Sequence, residues 1–263
     1  MAVLGQVATE AFPQLTITQS MTWVPPQDGT VCIHVVGAGG GGTGSNNHRG
    51  GGAGAYAKIP SLAVTTSGSY TLVVGVGGGG TINANPTNAV AGGNSTIAGT
   101  GLTGTKTCGG GTGATNAPAN GSGGEVSGSG ESWAGYTGGA GASSGGGAVG
   151  VFATGNNGSI RLTDAVAGGL AMSGFGIICG GSQIARAGSI YIHQSQINQP
   201  PQAGDLCGGS ALDAGSANTY SPIYGGGGGI GGGGGGGKNR GSVADSYGAP
   251  GGDGIILIQY LPW

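Results

Sequence analysis

Charged side chains are scarce in this chain of 263 residues: Asp, Glu, Lys and Arg make up 6% of it, and the formal net charge is -2. A basic stripe, the footprint of nucleic-acid binding, is therefore missing. Carboxylates are too sparse to suggest an acid/base pair, and Glu125 and Glu131 stand in irregular stretches. No apolar run approaches the ~18 residues that span a bilayer, and the first residues show no secretory leader, so membrane insertion is not expected. The cysteines Cys32, Cys108, Cys179 and Cys207 lack C-x-x-C spacing. They read as free thiols of a protein assembled in a cytoplasm. His34, His48 and His193 share no ligand spacing, so no metal or other cofactor is expected.

What the chain has instead is glycine, 70 residues of it, against an ordinary share of about 7%. Residues 225–237 are all glycine except Ile230. Helix is excluded over such tracts, because glycine loses the most freedom on ordering. Collagen needs glycine at every third position and abundant proline; here glycines are contiguous and prolines total 11. Disorder would go with low hydrophobicity and high charge, whereas 37% of the chain is hydrophobic. The runs 30–36, 69–74, 189–192 and 254–260 are β-branched and aromatic, bounded by glycine or proline, and read as strands. The expected fold is glycine-rich without significant α-helix: stacked polyglycine II helices, three residues per turn, bonded to their neighbours through the backbone and flanked by short β-strands. Such a fold has almost no side-chain core.

Two parts are expected. Residues 1–22, poor in glycine and carrying Phe12, Leu15 and Ile17, form an N-terminal attachment segment, and residues 23–263 form a glycine-rich body. Candidate rods are 37–44, 50–54, 75–80, 109–113, 121–130, 138–150 and 225–237. Their connections fall at two opposite ends.

Motifs need a chance correction at this glycine content. The G-x-G-x-x-G at Gly37, Gly39 and Gly42 carries no weight, and Gly141-Ala-Ser-Ser-Gly145 lacks the helix that follows a nucleophile elbow. Lys238 follows a glycine tract, but Asn239 stands where a phosphate loop has Ser or Thr. An enzyme is not expected. Aromatic and polar side chains gather between the tracts, as in adaptable recognition loops. Candidate binding residues are Asn46, Asn47, His48 and Arg49; Trp133 and Tyr136; Tyr220 and Tyr224; and Lys238, Arg240 and Tyr247.

The segments Thr30-Val-Cys-Ile-His-Val-Val-Gly-Ala-Gly-Gly-Gly-Gly42, Gly50-Gly-Gly-Ala-Gly-Ala-Tyr-Ala-Lys58 and Tyr70-Thr-Leu-Val-Val-Gly-Val-Gly-Gly79, with the ending Gly251-Gly-Asp-Gly-Ile-Ile-Leu-Ile258, resemble the glycine-rich domain of bacteriophage tail fibres. The architecture is similar to that of the fibre-tip adhesins of T-even-type phages. The resemblance implies a virion protein at a fibre or spike tip. It would bind a bacterial surface receptor, an outer-membrane protein or a glycan, through loops on a rigid polyglycine II scaffold. Its second partner would be the fibre or spike protein, held by the N-terminal segment. An ice-binding protein, or a structural coat or matrix protein, is the alternative.

Overall fold

The computed structural model describes residues 14–44, 49–81, 88–115, 119–141, 223–224, 228, 230–236 and 246–261. Among them there is no helix. Ten strands form two five-stranded antiparallel sheets. Sheet A runs in the order β1 (Gln14–Ile17), β12 (Ile255–Tyr260), β3 (Gly29–Val36), β4 (Tyr56–Val64), β9 (Ala134–Tyr136). Sheet B runs β2 (Met21–Trp23), β5 (Tyr70–Val73), β6 (Ser95–Gly99), β7 (Lys106–Cys108), β8 (Val126–Ser127). A parallel pair, β10 (Ile223–Tyr224) and β11 (Ser246–Tyr247), stands apart.

Between the sheets lies a hydrophobic core, more than the glycine content led us to expect. Alternate residues supply it: Val31, Ile33 and Val35 from β3, Ile256, Ile258 and Tyr260 from β12, Tyr70 and Leu72 from β5, and Ile97 from β6. Trp23 and Tyr70 meet with ring centroids 5.2 Å apart. Strand β4 contains Pro60, which argues against a central strand. Pairing steps from Val31↔Leu62 to Ile33↔Ile59, so a bulge on β4 absorbs the proline while both flanking runs stay in register.

The strands run on directly into glycine segments. In sheet A, 248–254 leads into β12, β3 continues as 37–44, 50–55 leads into β4 and β9 continues as 137–141; in sheet B, β5 continues as 75–81, 88–94 leads into β6, β7 continues as 109–115 and 121–125 leads into β8. Each sheet therefore extends as a layer of glycine segments in the same lateral order. Donors along a segment turn to a new neighbour at every residue and return at every third. Gly37 and Gly40 bond Ala55 and Gly52, Ala38 and Gly41 bond Gly93 and Val90, and Gly39 and Gly42 bond Gly252 and Ala249. In the next segment Gly51 and Gly54 bond Gly234 and Gly231, Gly52 and Ala55 bond Thr112 and Gly109, and Ala53 bonds Gly139. Residues 230–236 thus lie on the side of layer A away from layer B.

No room is left for side chains where segments touch: a Cβ on Gly40 would stand 2.2 Å from Thr112 O, and one on Gly233 2.0 Å from Gly51 O. Side chains serve the amides that no segment reaches. Asp253 Oδ1 accepts from Gly77 N at 2.7 Å, Asn94 Oδ1 from Gly110 N at 2.9 Å and Ser95 Oγ from Gly75 N at 3.0 Å.

Several expectations change. Residues 14–23 belong to both sheets, so the boundary read after residue 22 falls inside β2. The rod expected over 121–130 gives way to β8 at Val126, and Gly128 and Gly130 then take φ of 114° and 84°. The tract around Ile230 turns there, with Gly231 at φ 68°. Residues 88–94 form a segment the sequence did not suggest. The strand expected at 189–192 and the remainder of 138–150 lie outside the described residues.

Candidate functional site

The layers bring most connections between glycine segments to one end of the body, the end away from the sheets. Thr43 N donates to Arg49 O at 2.8 Å, Gly44 N to Thr81 O at 3.0 Å and Gly248 N to Thr81 O at 2.8 Å. In the other layer Ala89 N donates to Ala114 O at 2.9 Å, and Gly121 N reaches Gly50 O at 3.0 Å. The residue pairs 44/49, 81/88, 115/119 and 236/246, which bracket four connections, therefore stand together. Arg49 is half-buried and bridged to the buried Thr43, which also bridges Thr81. Tyr224 pairs with Tyr247, itself half-buried, next to Gly248.

Of the candidate binding residues, the structure gathers Arg49, Tyr224 and Tyr247 at this glycine end. Asn46, Asn47, His48, Tyr220, Lys238 and Arg240 lie outside the described residues. Trp133 and Tyr136 are elsewhere. Trp133 packs against the core and donates Nε1–H to Ser127 O at 3.0 Å. Tyr136 is on β9, opposite Tyr56, and is 37% exposed. Both belong to the strand half. Conversely, the connections after Thr81 and Thr115 share the glycine end, although no residue in them stood out. Hydrogen-bond register gathers them, and only the nearly equal lengths of the tracts could have hinted at it.

Strand-half polar groups are organised as supports. The Lys106 side chain is fully buried, donates to Thr103 O at 2.9 Å and to Ser129 O, and pairs with Glu131. Glu131 also accepts from Thr103 N at 3.0 Å and Thr103 Oγ1 at 2.8 Å. The Lys106 and Thr103 hydrogen bonds hold its carboxyl below the usual range. Glu131 and Ser132 both have positive φ, 48° and 54°, so this contact fixes a strained turn that carries Trp133.

On the face of sheet A away from the core, His34 Nδ1 lies 2.8 Å from the Tyr56 hydroxyl and Nε2 lies 3.3 Å from Cys32 Sγ. Burial, and then Lys58, lower the imidazole to about 4, while burial pushes the Cys32 thiol up. Both shifts favour the neutral pair, the opposite of an activated thiolate beside an imidazolium. Cys108 is buried, donates to Val35 O at 3.2 Å, and is likewise pushed up by burial. Among the described residues no three His, Cys, Asp or Glu side chains group as metal ligands.

No curated protein matches the chain. A family model described as a glycine-rich domain matches residues 16–261, which takes in both sheets except the first two residues of β1, and every glycine segment described above. The chain belongs to the glycine-rich domain family.

Proposed function

We propose that this protein is a virion adhesin at the tip of a phage tail fibre or spike, binding a bacterial surface receptor, an outer-membrane protein or a glycan, through the loops of the glycine end. The polarity of the body supports this most. Four connections are bracketed at the glycine end, while the first described residue, Gln14, pairs with Gln259 near the far end of sheet A, where Leu261 N bonds Thr30 O. A chain that enters at one end and presents loops at the other suits attachment through residues 1–13 and recognition at the opposite pole. The glycine segments are, in this proposal, polyglycine II helices in a sandwich. Donors that return to the same neighbour at every third residue support that, since three residues per turn is the period of this helix. A scaffold of this kind holds its loops at fixed separations, so binding loses little loop entropy.

Binding of the labelled protein to intact bacteria tests the proposal. Replacing residues 45–48 or 237–245 by Gly-Ser of equal length should weaken binding by about 30-fold where a hot spot is removed. Replacing 65–68, a turn between β4 and β5, should leave it unchanged. If folded variants with either glycine-end replacement bind as well as the parent, the glycine end is not the receptor site.

A further inference from the structure

Three half-buried apolar side chains, Leu102, Val126 and Trp133, close one corner of the core from its edge. They come from the turn 100–105 between β6 and β7, from β8, and from the turn 128–133 between β8 and β9. Both turns stand at the end of the body away from the glycine segments, because β6 runs out of segment 88–94 and β7 runs into segment 109–115. Lys106 ties the two together. Its side chain has no exposure, and its ammonium bonds Thr103 O in one turn and Ser129 O and the Glu131 carboxylate in the other. Glu131 returns the contact by accepting from Thr103 N and Thr103 Oγ1. The Glu131 side chain keeps 15% exposure, so a solvent proton reaches a carboxylate whose partner is sealed away. Glu131 and Ser132 also hold positive φ, a conformation that residues with a Cβ leave once nothing fixes it.

We propose that Lys106 and Glu131 form an acid-released latch: when Glu131 takes up a proton, the turn 128–133 lifts and Leu102, Val126 and Trp133 are uncovered. Protonation removes the counter-charge of a buried ammonium that acid itself keeps charged. A buried charge left unpaired is relieved by water, and water reaches Nζ where the turn 128–133 parts from 100–105. The opening stays local, because β8 and β9 are 2 and 3 residues long while the core proper draws on the other eight strands. Of the elements packed against the turn, β7 carries Lys106 and the buried Cys108, β8 no titratable group, β9 Tyr136, and the adjoining β4 Lys58 and Tyr56. Among the described residues only Lys106 acts on the Glu131 charge. The Lys106 and Thr103 hydrogen bonds hold this carboxyl below its ordinary 4.5. The latch is therefore at full strength above pH 4.5, weakens as the pH falls from there to the folded value, and is level below it. The latch does not depend on the receptor reading.

Hydrogen exchange of the intact chain, read by mass spectrometry from about pH 5.5 down to about 3 and corrected for the intrinsic rate, tests the latch. Peptides covering 100–106 and 126–136 should lose protection about tenfold per pH unit below 4.5 until the folded value is passed. In Glu131→Gln, which cannot titrate, the same peptides should be poorly protected at every pH and show no such slope, while 29–36 and 255–260 respond to pH as they do in the parent. Should that variant misfold, Lys106→Met, which leaves no buried charge to expose, should lose the slope likewise. Peptides of the two turns that keep their protection down to about pH 3, or that lose it with the same slope in the variants, overturn the proposal.

Discussion

His34 shows how one buried group ties stability to pH. Its folded value, about 4, lies below the ordinary 6.5 because burial disfavours the charged ring and the Lys58 ammonium repels it. On acidification the unfolded chain therefore takes up the proton first. The contribution is full above pH 6.5, is lost between 6.5 and about 4, and is level below that. Its size is at most about 3 kcal/mol. Urea melts at pH 7 and 4.5 should show a smaller acid loss in His34→Gln than in the parent; equal losses would remove His34 as the cause. Glycines of the two layers differ just as sharply. A Cβ on Gly40 would meet Thr112 O at 2.2 Å, whereas one on Gly79 meets only Val90 Cγ2, at 3.9 Å. Gly40→Ala should cost about 1–3 kcal/mol by overpacking against backbone. Gly79→Ala should be neutral, or stabilise by about 0.4–1 kcal/mol through the unfolded state. Thermal melts of the two variants side by side check both signs.

Single elements are held by a few polar contacts, and the turn before β9 depends on Lys106. Its ammonium joins Thr103 O, Ser129 O and the Glu131 carboxylate. Lys106→Met keeps the volume and removes every one of these bonds, so the turn with two positive φ residues should relax and Trp133 should leave the core. The expected outcome is a red-shifted tryptophan emission and a melting temperature lowered by several degrees. Unchanged emission would mean that packing alone holds Trp133. The strands legible in the sequence were those with unbroken β-branched runs, 30–36, 69–74 and 254–260. Strand β4 was hidden by Pro60, and β6 to β9 by being five residues or shorter. Segment 88–94 was hidden for a different reason. Ala89 is buried while Val90 and Ala91 are exposed, so outward positions of a glycine layer accept ordinary side chains, and only the pair Gly92 and Gly93 marks the segment.

Taken whole, the molecule is a strand half with a side-chain core joined to a glycine half held by backbone bonds, and the sequence disclosed the second half better than the first. The loops could be found as polar interruptions between tracts, but which of them share an end depends on hydrogen-bond register between segments far apart in the chain. Trp133 and Tyr136 show the consequence: as aromatics between glycine tracts they look like recognition residues, and the fold uses one as a core cap and the other on an edge strand. The same register sets how firmly each part of the glycine half is held. Segment 37–44 bonds 50–55, 75–81, 88–94, 109–115, 230–236 and 248–254, so neighbours enclose it on all sides, whereas 75–81 presents Val76, Gly79 and Gly80 to solvent. Amides such as Gly40 N, bonded within its layer to Gly52 O at 2.8 Å, and Gly52 N, bonded across the layers to Thr112 O at 3.0 Å, can then exchange only when the glycine half itself opens. Hydrogen exchange read by mass spectrometry should show peptides within 37–44 and 50–55 exchanging last, with the rate of global unfolding, and 75–81 well before them. Rapid exchange through 37–44 would mean that the glycine half is not a stiff body, and a loop end carried on it could not be held in place for recognition.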